Sequence, residues 1–281
     1  MSFTANGIVS LLTDFGTRDA YVGTLKAVLL REALSARAAQ LGGGPAALPL
    51  QIVDLTHEVP PQDVRAAAFH LAHAWRWFPR GSVHVAVVDP GVGSARPILC
   101  AEHEGHAFLA PDNGLLGPLL GPPSDSRASV RALELERFSL PQRSRTFHGR
   151  DVFAPAAARL ACGLPPEGCG PLVPSWRSFA FPSARVLEPG LLEVEVLIAD
   201  RYGNLVTNAH RADLAPDPAQ WHAQLGTRLV PVVGTYAEVA PGDALCLIDS
   251  YDLLEIAVRD GDAGAELGLG AGAVLRLRCG A

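Results

Sequence analysis

Lysine is nearly missing from this chain: Lys26 is the only one in 281 residues. A lysine Schiff base or a phosphate-gripping lysine would have to rest on that one residue, and no Gly-x-x-x-x-Gly-Lys surrounds it, which argues against nucleoside-triphosphate chemistry. Cysteine is sparse and unpatterned. Cys100, Cys162, Cys169, Cys246 and Cys279 form no Cys-x-x-Cys pair, and an odd number suits a reducing compartment better than a disulfide framework. No apolar stretch approaches the ~18 residues that a membrane span needs, and no basic segment precedes the first apolar run. The expectation is a cytoplasmic protein with no membrane partner. A basic stripe is also lacking: the formal net charge is -6, which argues against nucleic acid as a partner and points to a small molecule. There is no Gly-x-Ser-x-Gly elbow and no Gly-x-Gly-x-x-Gly after the first strand, so neither an α/β-hydrolase nor a standard dinucleotide fold is expected. His70 and His73 fall at i and i+3 of one helical pattern without further ligands nearby, and no metal is expected.

What is present is a repeated strand, loop and helix order. Ile8 to Leu12 is a short apolar run, followed by a helical pattern from Tyr21 through Leu41 that is broken by Gly42-Gly43-Gly44-Pro45. Gln51 to Leu55 supplies a second strand. Pro61 opens a second amphipathic helix reaching Phe78, and Ser82 to Val88 is an unbroken apolar strand. Two short strands, Ile98 to Ala101 and Ala107 to Ala110, and a helix from Val152 to Ala161 complete the first half. This order predicts an N-terminal α/β domain with a mainly parallel sheet and right-handed crossovers, over residues 1–175. Prolines and glycines without period mark a linker that ends the domain, at 176–190. From 191 to 281 short β-like segments (Leu191 to Ile198, Arg228 to Val233, Ala244 to Ile248, Leu253 to Val258, Ala273 to Leu277) predict an all-β domain, a small barrel.

Polar clusters sit at the strand ends of the first half, where open sheets build their ligand crevices. Asp89 and Arg96 flank the turn Pro90-Gly91-Val92-Gly93 directly after the Ser82 to Val88 strand. That segment is either one wall of a site or an Asx-type turn with a surface ion pair. Asp14 and Asp19 follow the first strand. Asp112-Asn113-Gly114 is explained by turn chemistry, and Asp151 by a helix cap. His148, at a loop-to-helix junction between Phe147 and Gly149, lies neither on an apolar face nor in a charge run. In the second half, Asp200-Arg201-Tyr202-Gly203-Asn204 and Asp249-Ser250-Tyr251-Asp252 read as polar hairpin tips, although the amide of Asn204 also suits a purine edge.

Thr13-Asp14-Phe15-Gly16, Val88-Asp89-Pro90-Gly91-Val92-Gly93 with Arg96, Pro111-Asp112-Asn113-Gly114, Phe147-His148-Gly149-Arg150-Asp151, Asp200-Arg201-Tyr202-Gly203-Asn204 and Ser250 through Ala257, in that order, resemble the S-adenosyl-L-methionine (SAM) hydrolase family, also called SAM hydroxide adenosyltransferases and related to the fluorinase and chlorinase. The resemblance implies a homotrimer with SAM held between the N-terminal domain of one subunit and the C-terminal domain of its neighbour. It implies hydrolysis of SAM to adenosine and L-methionine, with SAM as substrate and no cofactor. By the same resemblance Asp89, Arg96 and His148 match a water-handling triad. Asp14 matches the carboxylate on the ribose hydroxyls, Asp19 and Asp200 acids near the methionine ammonium, and Asn204 an adenine contact. Ser250, Tyr251, Glu255 and the backbone near Val258 match the C-terminal face of the pocket. Asp249, Asp252 and Asp262 depart from the asparagines and glycine common at those places. Two other readings stand beside it: a SAM-dependent halogenase, which a carboxylate beside the anion would serve poorly, and a non-catalytic SAM- or adenosine-binding regulator, which would have no use for the triad. The sequence leaves open whether Asp89 takes a proton or positions the water.

Overall fold

Buried parallel strands carry unbroken β-branched runs, and the first half of the chain folds accordingly. The computed structural model describes residues 2–40 and 49–280, which divide into two compact units meeting between Ala180 and Phe181. The Gly42-Gly43-Gly44-Pro45 break lies outside the described residues.

The N-terminal unit is built on a six-stranded sheet of order β2-β1-β3-β5-β4-β6. Its strands are β1 (Ile8–Thr13), β2 (Gln51–Thr56), β3 (Val83–Val87), β4 (Ile98–His103), β5 (His106–Pro111) and β6 (Ser129–Ala132). β1 runs parallel to β2 and β3, and β3 parallel to β5, whereas β4 is antiparallel to both β5 and β6. The parallel part is the site-bearing part. β3 is buried at every position between β1 and β5, as its sequence demands. Helix α1 (Tyr21–Gln40) turns Leu25 and Leu29 into the core with Val85, Phe153 and Leu160.

Helix α2 (Val64–Ala74) begins later than its sequence suggested. Asp63 is its N-cap, accepting from the Ala66 amide at 2.9 Å, and Gln62 takes a left-handed φ of +66°, so Pro61 stands in the preceding turn. His84 is a core residue: Ser10 Oγ is 2.7 Å from its Nδ1, and its Nε2 is 3.1 Å from His106 Nδ1. Burial pushes its pKa down to about 3, so the ring is neutral.

The span expected as a linker, 176–190, contains the division between the two units and holds one isolated bridge and one short strand. Isolated bridges join Leu172 to Arg131 and Ser178 to Gly114 within the N-terminal unit, and β7 (Arg185–Glu188) already belongs to the C-terminal one. Its prolines and glycines hid short pairings that rely on distant partners. The C-terminal unit continues with β8 (Leu191–Ala199), β9 (Leu205–His210), β10 (Trp221–Leu225), β11 (Arg228–Pro231), β12 (Ala244–Ile248), β13 (Leu253–Val258) and β14 (Val274–Cys279). Every pairing along the order β11-β10-β14-β8-β9-β13-β12 is antiparallel, and a bridge between Val232 and Cys246 brings the two ends together, giving a nearly closed barrel. A short α-helix, Ala263–Leu267, and three single turns of 3-10 helix, Arg211–Leu214, Pro218–Gln220 and Tyr236–Glu238, interrupt the β pattern. Cys100, Cys162, Cys169, Cys246 and Cys279 form no disulfide. No helix among the described residues is long and apolar enough to cross a membrane.

Candidate functional site

The strand-to-loop transition after β3 places Asp89 at the carboxyl end of the parallel sheet, and the turn that follows returns Arg96 to it. Val92 N–H donates to the Asp89 carbonyl at 3.2 Å and Ser94 N–H to the Gly91 carbonyl at 3.1 Å. Arg96 Nε donates to Asp89 Oδ1 at 2.7 Å and Nη2 donates to Oδ2, a two-pronged pair whose side chains are only 8% and 5% exposed. The turn exists, but its ion pair is buried rather than on the surface.

His148 completes the group. Arg96 Nη2 lies 3.3 Å from His148 Nδ1. A guanidinium has no acceptor, so Nδ1 accepts and the neutral ring carries its proton on Nε2. Burial pushes the His148 pKa down, and the Arg96 and Arg143 charges act in the same direction against Asp89 and Asp151. The ring is therefore uncharged at neutral pH. His148 leads into a single π-turn, Gly149–Phe153, where Ala154 N–H reaches back to the Gly149 carbonyl. Asp151 is not the helix cap its position suggested. Its buried carboxylate accepts from Ser144 N at 2.7 Å and from Arg150 at 2.6 and 2.9 Å, holding together the loop that precedes His148.

Asp14 borders the same cleft, about 80 Å³ in volume, together with Phe15, Asp89, Val92, Phe147 and His148. A cleft of that size has room for a few waters or one end of a ligand. Asp14 Oδ2 accepts from Gln62 N at 2.8 Å, and Gly16 N donates to the His57 carbonyl at 2.8 Å, so the loop after β2 braces the loop after β1. Behind it Thr13 Oγ1 is 2.8 Å from His57 Nδ1, and Lys26 Nζ donates to Asp54 at 2.6 Å. Phe15 and Phe147 meet edge to face, 5.8 Å between ring centres. Phe15 also packs against Gly149, where a Cβ would lie 3.0 Å from its ring. Sequence reading passed over both aromatic walls, although each adjoins a singled-out charged residue at a strand or loop end. Asp19 is exposed and does not line this cleft.

In the C-terminal unit Asp200 ties off the β8–β9 tip. Its Oδ1 accepts from the Tyr202 and Asn204 amides at 2.8 Å each, and its Oδ2 from Asn204 Nδ2 at 3.2 Å. Asp249 does the same for the β12–β13 tip, accepting from Tyr251 N and Leu253 N at 2.8 and 3.0 Å. Ser250 and Tyr251 are exposed there. Glu255, buried on β13, accepts from Tyr236 Oη at 2.6 Å. Burial raises its pKa to about 7, opposed by the tyrosine hydrogen bond and assisted by Asp200 and Asp249. Tyr236 carried no sequence signal. Val258 packs its side chain in the barrel core, and its carbonyl accepts from Gly261 N at 3.1 Å. Among the described residues no three His, Cys, Asp or Glu groups gather as metal ligands.

Comparison with known proteins gives a consistent result. The SAM hydroxide adenosyltransferase N-terminal domain matches residues 9–170 and the corresponding C-terminal domain residues 194–276. An (R)-S-adenosyl-L-methionine hydrolase of Thermus thermophilus is 43% identical over 96% of this chain and 98% of its own. A fluorinase of Actinoplanes sp. is 26% identical over 92% of each chain. The crystal structure of an uncharacterized conserved protein from Thermotoga maritima superimposes with a TM-score of 0.83 at 33% identity, covering 96% of this chain and 99% of that one.

Proposed function

The chain belongs to the SAM hydroxide adenosyltransferase family, and from that premise we propose that it hydrolyses SAM to adenosine and L-methionine. The observation that carries the reading is the buried contact of Asp89, Arg96 and a neutral His148 beside the cleft that Asp14 borders.

The reaction is an in-line displacement at the ribose C5′. A water oxygen forms the C5′–O bond as C5′–S breaks, the electron pair passes to sulfur and cancels the sulfonium charge, and the water proton leaves to solvent. Methionine departs as a neutral thioether and needs no general acid. The demand falls on the nucleophile, which must be held behind the carbon and stabilised as it takes on hydroxide character. Arg96 supplies the fixed positive charge, and the Nε2–H of neutral His148 supplies a donor. Both Asp89 oxygens are already engaged by Arg96, which supports positioning of guanidinium and water over proton abstraction. A pH–rate profile governed by one near-neutral ionisation of Asp89 would overturn that role.

In this reading Asp14 grips the ribose hydroxyls and Asp19 and Asp200 serve the methionine ammonium. Asn204, Ser250, Tyr251, Glu255 and the Val258 backbone serve the adenine and amino-acid ends. Assembly as a homotrimer belongs to the same proposal and is tested by the mass of the protein in solution. A cytoplasmic setting is supported by five cysteines that form no disulfide.

The deciding experiment incubates purified protein with SAM, with and without chloride or fluoride, and separates the products. Adenosine and methionine in equal amounts, unaffected by halide, are expected. A 5′-halo-adenosine would instead establish the halogenase, and absence of turnover would overturn the hydrolase.

A further inference from the structure

Two adjacent residues hold both ends of the segment that carries Asp89 and Arg96. Asn113 Nδ2 donates to the Val88 carbonyl at 2.8 Å, immediately before Asp89. Asp112 N–H donates to the Pro97 carbonyl at 3.0 Å, immediately after Arg96. Val88 stands one residue past Val87, the last residue of β3 in register with β1, so its carbonyl lies beyond that ladder. Asn113 is itself fixed, because its Oδ1 accepts from Leu115 N at 3.1 Å and its N–H donates to the Pro111 carbonyl at 2.9 Å. Asp112 is tied down in turn, accepting from Arg177 N at 2.7 Å. Neither residue lines the cleft.

We propose that Asn113 is a positioning residue for the Asp89–Arg96 pair. The Val88 carbonyl and the Asp89 nitrogen share one rigid peptide plane, so pinning the carbonyl fixes the direction in which Asp89 leaves the strand. The Asp112 bond fixes the other end. Between two held ends the carboxylate and guanidinium keep the spacing that their two-pronged contact requires. The turn chemistry of Asp112-Asn113-Gly114 is real but secondary: Asn113 spends its acceptor on the turn and its donor on the neighbouring strand end. The role in catalysis rests on the reading of this cleft as the water site; the effect on the Asp89–Arg96 geometry does not.

Asn113→Asp separates the two functions, since a carboxylate can still accept from Leu115 N but has no donor for the Val88 carbonyl. Its SAM turnover is expected to show kcat lowered about 10²-fold, the loss that a displacement of roughly 1 Å produces, with KM changed by less than about twofold. Asn113→Ala is expected to lose the same kcat and also some thermal stability; if it fails to fold, Asn113→Asp carries the test. A second readout needs no turnover. The Arg96 Nε–H proton signal, assigned by its disappearance in Arg96→Lys, should shift and exchange faster in Asn113→Asp. Parent kcat in Asn113→Asp overturns the catalytic role, and an unmoved Arg96 signal overturns the positioning itself. If the parent protein releases no adenosine from SAM, the functional reading fails, and the Arg96 signal alone then decides whether Asn113 positions the pair.

Discussion

In the N-terminal unit the buried carboxylates Asp89 and Asp151 each face a guanidinium, Arg96 and Arg150, whereas in the C-terminal unit buried Glu255 faces a tyrosine hydroxyl and feels two further carboxylates, Asp200 and Asp249. In the first arrangement each carboxylate has a cation hydrogen-bonded to it. Burial raises the Asp151 pKa, but the hydrogen bonds from Arg150 and Ser144 N outweigh it and leave the pKa low. The second lets a carboxyl titrate close to neutral pH. A site that must present the same field throughout turnover needs the first kind of chemistry, and a group that exchanges its proton in the physiological range needs the second.

Removing the cation from one buried pair is expected to have the largest effect. Arg96→Met leaves Asp89 buried without its partner, and should destabilise the N-terminal unit by about 3–5 kcal/mol in urea unfolding. Turnover should fall at least about 10²-fold. In the double variant with Asp89→Asn stability should largely return while turnover does not, because an apolar and a neutral group no longer leave a buried charge. If Arg96→Met unfolded at the parent's urea concentration, the contrast between compensated and uncompensated carboxylates would collapse.

A pair of glycines tests rigidity in the two units at smaller amplitude. Gly93 has φ +81°, and a Cβ there would lie 2.6 Å from the Arg145 carbonyl, a backbone atom that cannot swing away. Gly203 has φ +84°, and its Cβ would strike the Asp262 carboxylate, the end of a side chain that caps the helix Ala263–Leu267. Gly93→Ala should therefore cost about 2 kcal/mol or more, with loss of turnover, since it displaces the segment leading to His148. Gly203→Ala should cost about 1–2 kcal/mol, from the left-handed backbone and the displaced cap. Thermal melts of the two variants side by side check the order.

Much of the fold was legible because it follows from local pattern. The unbroken apolar run of β3 and the helical spacing of Leu25 and Leu29 dictate buried elements whatever surrounds them. His148 stood out because no turn or apolar face explains it, whereas Asp14 and Asp89 each had a local turn explanation, and the structure brings all three to one cleft. What was illegible depends on partners far away in the chain. β6 is a four-residue strand held by β4 on one side and by the bridge to Leu172 on the other, and β10 has too many polar residues to be read without β14. The helix start at Asp63 follows from a left-handed Gln62 that no pattern announces. Asn113 was explained well enough by its own turn, while its donor serves a carbonyl 25 residues earlier. Tyr236 reaches Glu255 across 19 residues, with no periodicity to announce the contact.

The most gradual effects, spread over several pH units, concern the opposite pH responses of the two units. Unfolded His148 binds its proton near the ordinary value of 6.5 but folded His148 does so only at lower pH, so the N-terminal unit loses this contribution to stability as pH falls below 6.5. Glu255 has the reverse sign. Its folded pKa of about 7 lies above the ordinary 4.5, so the folded C-terminal unit binds the extra proton between them and loses stability as pH rises from 4.5 through 7. The slope from one such group is at most about 1.4 kcal/mol per pH unit, and Glu255→Gln should flatten it. Tyr236→Phe should act more finely. The tyrosine donates to Glu255 and so favours the carboxylate, and its removal should raise the Glu255 midpoint, read by carbon-13 NMR of the carboxyl, by less than about 1 pH unit. A midpoint that moved down instead would mean that the hydroxyl accepts from the protonated carboxyl rather than donating to the carboxylate, since the aromatic ring is the same in both proteins and only the hydroxyl is removed.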